Sequence, residues 1–318
     1  MKISIIICTR NRRKILSKTL KTIFEAIKYS HQSKRKIEVI IVDNASYDDT
    51  KEFVLKLIMM YSNINLKYVI EPTVGVSYAR NTGIKNAVGN VISFIDDDTH
   101  LTLNWVQSAI LAINSQSKNK IIFGEIVAPK LLTKNKIIQD LNRLNSLWSI
   151  GITNIEVDSH SLSKNLPIMV NNSLIQKKVF EKIGVFDTDF GSQKNGYSVY
   201  GGEDIDFIER AYLANFPMQY NPQLVVNHII LQHKISWDYI EWRHYANGIE
   251  RAIFWSKYPN SKSNKNLNKT NLKLYILWTN ILTKLFWPLK YLPFLYIYSI
   301  KYRLQLSFIK GYNHQKSR

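Results

Sequence analysis

The chain has 318 residues, 45% hydrophobic and 12% aromatic, and carries 43 Lys or Arg against 24 Asp or Glu for a net charge of +19. This composition excludes a disordered or low-complexity chain and suffices for one large core or two modest ones. The single cysteine, Cys8, excludes an intrachain disulfide, fits a reducing compartment, and is expected at a buried strand position.

The first predicted element is the apolar run KISIIIC at 2–8. Lys2 before an apolar run resembles an export signal. The run stops at Cys8, too early for one, and Arg10, Arg12, Arg13 and Lys14 follow where small residues belong, so it reads as a strand. Leu16, Leu20, Ile23, Phe24 and Ile27 then recur at helical spacing, followed by strand-like IEVIIVD at 37–43 and LKYVI at 66–70. After Glu71 and Pro72 comes a helical pattern from Val76 to Ala87, then the strand VISFI at 91–95. Near-continuous apolar strands separated by amphipathic helices predict an α/β protein whose parallel sheet is covered on both faces. Ligands of such sheets sit at the carboxyl ends of the strands. Thr9 to Arg13, Asp43 to Asp49 and Asp96 to Asp98 all follow strand ends and are expected to share one edge.

The second half is less regular. A helix is predicted at 136–148 and a strand at 167–175, then the loop FDTDFGSQKNGYSVYGGED at 186–204 with four glycines. Its 187–202 part reads either as a lid over a ligand or as an ordinary surface loop. The polar stretch NSKSNKNLNKTN at 260–271 separates the body from a tail, and residues 251–318 hold 13 Lys or Arg and no Asp or Glu.

No G-x-G-x-x-G or G-x-x-x-x-G-K-[ST] cradle is present, so a phosphate ligand needs another counter-charge. Asp96, Asp97 and Asp98 repel one another unless a cation sits among them. Asp96 and Asp98 can hold Mg2+ or Mn2+ through oxygen ligands. The alternative is a solvated acidic turn that caps a helix beginning near Leu103. A second acidic group, GGEDIDF at 201–207, pairs a flexible double glycine with Glu203 and Asp204 at a helix start. Carboxylates crowded together have raised pKa values, as a general base needs. His228 in VVNHII reads as a ligand or as a hydrogen-bonded core histidine, with His233 its competitor.

Taken in order, SIIICTRNR, VDNASYDDT, GVSYARNTGIKNAVGNVISFIDDDT, IMVNNSLIQKKVFEKIGVFD, GGEDIDFIERA and VVNHI resemble the family 2 glycosyltransferases, from residue 3 to about 250. Cys8 stands where proline is common and Tyr200 where tryptophan often precedes the double glycine; neither departure removes a charged group. The resemblance implies a GT-A fold, with a mixed, mainly parallel sheet flanked by helices and a C-terminal helical extension. It implies a catalytic domain over 1–250, with a nucleotide-binding half at 1–100 and an acceptor half at 101–250. Asp43 would bind the donor's base or ribose, with Thr9, Asn11, Arg80, Asp96 and Asp97 also at the nucleotide-sugar. Asp96 and Asp98 would form the metal motif for Mn2+ or Mg2+, with His228 as a further metal or diphosphate contact. Asp204 would be the catalytic base and Glu203 its partner, while Asn172 and Tyr200 would face the acceptor. The implied reaction is inverting transfer of a hexosyl or N-acetylhexosaminyl group from a nucleotide-sugar, commonly a UDP-sugar. The acceptor, a lipid-linked or growing surface glycan, is expected from a membrane-surface reading of the basic aromatic tail.

The tail at 272–312, LKLYILWTNILTKLFWPLKYLPFLYIYSIKYRLQLSFIKGY, is interrupted by Lys284, Lys290, Pro288 and Pro293, so spanning a membrane is disfavoured. Aromatics beside Lys and Arg suit helices lying on an anionic membrane surface, and the expected location is cytoplasmic, on the inner face of the cell membrane. The other reading is a helical cap with solvated lysines. Nucleic acid is not an expected partner, because that reading leaves the aspartates and GGED unexplained. A hydrolase elbow at GVSYA (75–79) lacks the preceding strand, which Glu71 and Pro72 interrupt. A catalytically inactive binding module is the remaining rival, although no acidic position is missing.

Overall fold

The computed structural model describes residues 1–30, 36–114, 120–132, 134–153, 169–191, 193–194, 197–198, 201–259, 281–282 and 293–316. The predicted connector at 260–271, most of the aromatic tail before 293, and Tyr200 lie outside the described residues.

Strands β1 (Ile3–Thr9), β2 (Ile37–Asp43), β3 (Asn65–Ile70) and β4 (Val91–Phe94) alternate with helices α1 (Arg13–Tyr29), α2 (Thr50–Met60) and α3 (Val76–Asn86). Parallel pairing needs such crossovers. β1 pairs in parallel with β2 on one side and β4 on the other, and β2 pairs in parallel with β3. The chain continues through β5 (Thr99–Leu101), α4 (Trp105–Asn114), β6 (Ile121–Val127), α5 (Lys136–Arg143), β7 (Ser173–Gln176) and α6 (Lys177–Ile183). A two-stranded hairpin, β8 (Gln193–Lys194) and β9 (Tyr197–Ser198), precedes α7 (Glu203–Leu213), β10 (Met218–His228), α8 (Trp237–Lys257) and α9 (Pro293–Lys316). Eight strands form one sheet in the order β3-β2-β1-β4-β7-β6-β10-β5, with β7 antiparallel to both neighbours and β5 antiparallel to β10.

Alternate residues of β1 feed two cores. Ile3, Ile5 and Ile7 pack with Leu16, Leu20, Ile23 and Phe24 of α1 and with Trp105 and Val106 of α4. Ile6 points to the other face with Ile40, Val42, Ala79 and Ile84, and with Phe180 and Phe207 from α6 and α7. Each such side chain contributes about 1.5–3 kcal/mol when fully buried. Gly83 sets the depth of α3, since a Cβ there would lie 2.4 Å from Ile6 Cγ2. That close approach sinks Arg80, one turn earlier on the same helix, into the protein.

Three expectations shift. Among the described residues the strand predicted at 167–175 is confined to Ser173–Gln176. The helix predicted at 136–148 ends at Arg143, and a short 3-10 turn, Leu147–Ile150, follows Asn145, whose φ of 51° is left-handed. The acidic turn at 96–98 leads into β5 rather than into a helix, so the helix-cap reading of the aspartates does not hold.

The chain forms two compact units. The first, residues 1–129, 152–198 and 203–229, contains the whole eight-stranded sheet; the second comprises 130–151, 199–202 and 230–318. Residue 250, the expected end of the catalytic domain, falls inside the unbroken helix α8. Within the second unit α8 and α9 touch backbone to backbone: a Cβ on Gly248 would lie 2.0 Å from the Phe308 carbonyl oxygen, and one on Gly311 would lie 1.9 Å from that of Tyr245. Among the described residues no helix is long and apolar enough to cross a membrane.

Candidate active site

After β1 the chain goes to β2 and β3 on one side, then returns to β4 on the other. The carboxyl ends of β1 and β4 therefore flank the point where strand order reverses, the usual ligand position in such sheets. Thr9, at the end of β1, donates its hydroxyl to Asp97 Oδ2 at 2.8 Å. Asn11 has a left-handed φ of 54°, and its N–H donates to Ser46 Oγ at 3.0 Å while its Oδ1 accepts the Tyr47 N–H at 2.8 Å. Asp43 is buried at the end of β2 and accepts from the Tyr68 hydroxyl at 2.5 Å and the Ser46 N–H at 2.9 Å. Asn44 fastens the next loop by donating to the carbonyls of Glu71 and Thr73 and accepting from the Gly75 N–H. Thr9, Asn11 and Asp43 thus meet at one edge, and hydrogen bonds hold the loops there.

The cation among the aspartates is Arg12. Its Nη1 donates to Asp97 Oδ1 at 2.6 Å and its Nη2 to Asp98 Oδ2 at 2.8 Å. Both carboxylates are 3% exposed. Burial pushes the Asp97 carboxyl up to about 7, against the opposing pull of Arg12. On the other side of Asp98, His228 Nε2 at the end of β10 lies 3.3 Å from Oδ1, while the buried His228 Nδ1 has no hydrogen-bond partner among the described residues.

The second acidic group is organised by Arg80, which is 6% exposed. Its Nη1 donates to Glu203 Oε1 at 2.9 Å and to Asp204 Oδ1 at 2.6 Å. The guanidinium carbon lies 5.7 Å from the Phe94 ring centroid and 5.2 Å from that of Phe186, favourable cation–π positions. Asp204 Oδ2 accepts the Val170 N–H at 3.1 Å. Burial raises the Glu203 carboxyl and neighbouring Asp204 adds to this, with Arg80 opposing. Asp96 links the two acidic groups: burial raises its carboxyl, Arg80 lowers it, and Asp98 and Asp204 raise it again. Asp96, Asp98 and Asp204 therefore lie within one electrostatic field.

Several residues near the site are tied into the protein by their own bonds. Arg80, expected near the nucleotide, makes charged bonds to Glu203 and Asp204. Asn172, expected at the acceptor, is 1% exposed and its amide is occupied in the core: Oδ1 accepts the Trp105 Nε1–H, and Nδ2 donates to the carbonyls of Glu125 and Leu224. Asp206 is buried in an ion pair with Arg210, which also donates to the Ile183 and Val185 carbonyls and so braces the end of α6. The first part of the expected lid is fastened down, with Phe190 O accepting the Ser77 hydroxyl and Gly191 O accepting the Val76 N–H. His233 is exposed in a short turn of the second unit. Sequence reasoning missed Arg12 and the Val170 amide. Arg12 was detectable as a cation at one strand end, facing three carboxylates at the neighbouring one.

Two carboxylates and an imidazole form a donor set suited to Mn2+ or Mg2+, and Asp98 and His228 are already adjacent. Among the described residues no three His, Cys, Asp or Glu side chains form a ready ion-holding group. Arg12 takes the second oxygen of Asp98. The residues fit the ion chemically, with an arginine sharing one of its donors.

Residues 4–184 match the family described as glycosyl transferase family 2. A glucosyl-dolichyl phosphate glucuronosyltransferase of Haloferax volcanii is 21% identical over 282 residues, 86% of this chain and 84% of that protein. Glycosyltransferase AglE of the same organism is 26% identical over 229 residues, 71% of this chain and 66% of the relative. A GalNAc(5)-diNAcBac-PP-undecaprenol beta-1,3-glucosyltransferase of Campylobacter jejuni is 32% identical over 131 residues, 41% of this chain and 39% of the relative. Among solved structures, the mannosyltransferase PcManGT of Pyrobaculum calidifontis, in complex with GDP-Man and Mn2+, superposes with a TM-score of 0.63 at 14% identity, covering 98% of this chain and 86% of that one. S. aureus TarS 1–349 in complex with UDP-GlcNAc gives 0.51 at 17% identity, covering 100% and 91%. These likenesses show the GT-A fold. The chain belongs to glycosyl transferase family 2 and is a glycosyltransferase.

Proposed function

We propose that the protein transfers a sugar, with inversion, from a UDP-sugar to a hydroxyl of a lipid-linked or growing surface glycan. The observation that carries this is the placement of Asp204. Arg80 and the Val170 amide orient its carboxylate at 2.6 and 3.1 Å, in the same field as Asp96 and Asp98. Thr9, Asn11 and Asp43 at the adjoining strand ends are the proposed contacts of the nucleotide. Asp204 accepts the proton of the acceptor hydroxyl as that oxygen attacks the anomeric carbon opposite the diphosphate. The bond from the anomeric carbon to the diphosphate breaks in the same displacement, which inverts the configuration without a covalent intermediate. Arg80 keeps the Asp204 carboxylate aimed, and Glu203 shares that guanidinium. A divalent ion on Asp96, Asp98 and His228 would offset the charge that develops on the departing diphosphate.

TarS with UDP-GlcNAc supports the uridine carrier, and the names of the dolichyl and undecaprenol relatives support a lipid-linked acceptor. The positive charge of residues 251–318 supports work at an anionic membrane surface on the cytoplasmic side. A donor-hydrolysis screen across UDP- and GDP-sugars, with and without Mn2+, tests the donor and the ion. Asp204→Asn should keep donor binding and lower turnover by about a hundredfold or more. Near-normal turnover in that variant removes Asp204 from the chemistry.

A further inference from the structure

Arg12 binds two different carboxylates, one through each terminal nitrogen: Asp97 at 2.6 Å and Asp98 at 2.8 Å. The two attachments are not equivalent. Asp97 is fixed from behind, since its Oδ2 accepts the Thr9 hydroxyl and its carbonyl oxygen accepts the Thr19 hydroxyl. Asp98 is shared, because its Oδ1 lies beside His228 Nε2. The Arg12 side chain is 33% exposed, against 4% and 5% for its partners, so the arginine has solvent to move into while the aspartates do not. A guanidinium on Asp98 withdraws an oxygen donor from an ion and repels it by Coulomb's law.

We propose that Arg12 and a divalent ion are alternative partners of Asp98, so that ion binding requires the guanidinium to release Asp98 while it stays tethered to Asp97. Arg12 thereby neutralises the acidic turn and sets the ion affinity of the site. The inference rests on the proposed placement of an ion at Asp98.

The test is direct titration of Mn2+ alone into the full chain, with free ion read by electron paramagnetic resonance, for wild type, Arg12→Met, Arg12→Lys and Asp98→Asn. Arg12→Met should bind Mn2+ about tenfold more tightly than wild type, the scale of losing one competing charge-assisted bond. Arg12→Lys keeps the charge and loses the two-pronged reach, so it should fall between them; it carries the test alone if the Met variant does not fold. Asp98→Asn should bind weakly whatever occupies position 12. Equal or weaker Mn2+ affinity in the Arg12 variants overturns the competition and leaves the ion site standing. Absence of Mn2+ binding in every variant overturns the ion placement itself, and the competition with it.

Discussion

Replacing Arg80 with Met removes the guanidinium shared by Glu203 and Asp204 and keeps an unbranched apolar chain against Phe94 and Phe186. The two carboxylate side chains are only 9% and 18% exposed, so neither can recover its hydration in place. Stranding a buried charge in this way costs about 3–5 kcal/mol. The cost has a ceiling, because burial already raises the Glu203 carboxyl and it can take up a proton once Arg80 no longer opposes this. The sign follows from linkage. A raised native pKa means that the native variant binds a proton which the unfolded chain has released, so this group's contribution to stability is fully present below the ordinary glutamate value of 4.5 and is lost as pH rises through the native value. Urea denaturation followed by circular dichroism should show a deficit of about 3–5 kcal/mol near pH 8 and a smaller one near pH 5. A deficit under about 1 kcal/mol near pH 8, or one of equal size at both pH values, refutes the assignment of Arg80 as the counter-charge of the acidic pair.

Further outcomes follow from other parts of the fold. Burial alone would raise the Glu38 carboxyl, but bonds from Lys67, Ser4 and the Val88 N–H outweigh it and hold the group below its ordinary value. Thermal melts should therefore show wild type more stable than Glu38→Gln above pH 4.5, with the advantage lost as pH falls through the native value. Asn172→Ala should cost about 3 kcal/mol or more, because it strands the Trp105 indole N–H and two core carbonyls, yet leave the acceptor KM unchanged in folded enzyme. A changed acceptor KM at unaltered stability would return Asn172 to the acceptor site. Gly311→Ala places a Cβ 1.9 Å from the Tyr245 carbonyl oxygen and should loosen the pairing of α8 with α9, seen as earlier proteolytic release of α9. Unchanged protease resistance would count against that close crossing.

Strands β1 and β2 were legible because a strand buried on both faces must be apolar nearly throughout, and ISIIICT and IEVIIVD are. The shared edge was legible for a related reason: parallel strands joined by crossover helices bring their carboxyl ends to one side. Thr9, Asp43 and Asp96 to Asp98 could therefore be placed together, whereas Asp204, at a helix start, was singled out by the GGED stretch and the family resemblance. Their partners could not be placed. Arg12 meets Asp97 across 85 residues and Arg80 meets Asp204 across 124, and no local periodicity records such a pairing. Asn172 was assigned to the acceptor through the family resemblance alone. It has a left-handed backbone, and its three amide bonds, which fasten the core, reach residues 47 to 67 positions away that no local pattern records.

Sequence alone determined the alternation of strand and helix, the acidic residues at the edge, and the concentration of positive charge in the last 68 residues, 251–318. Each of these is written in neighbouring residues, through side-chain period and residue type. Tertiary structure decided that β7 enters antiparallel between β4 and β6, and which arginine neutralises which carboxylates. The reason is that charge interactions depend on separations of a few ångströms, and those separations exist only once strand order and helix depth are set.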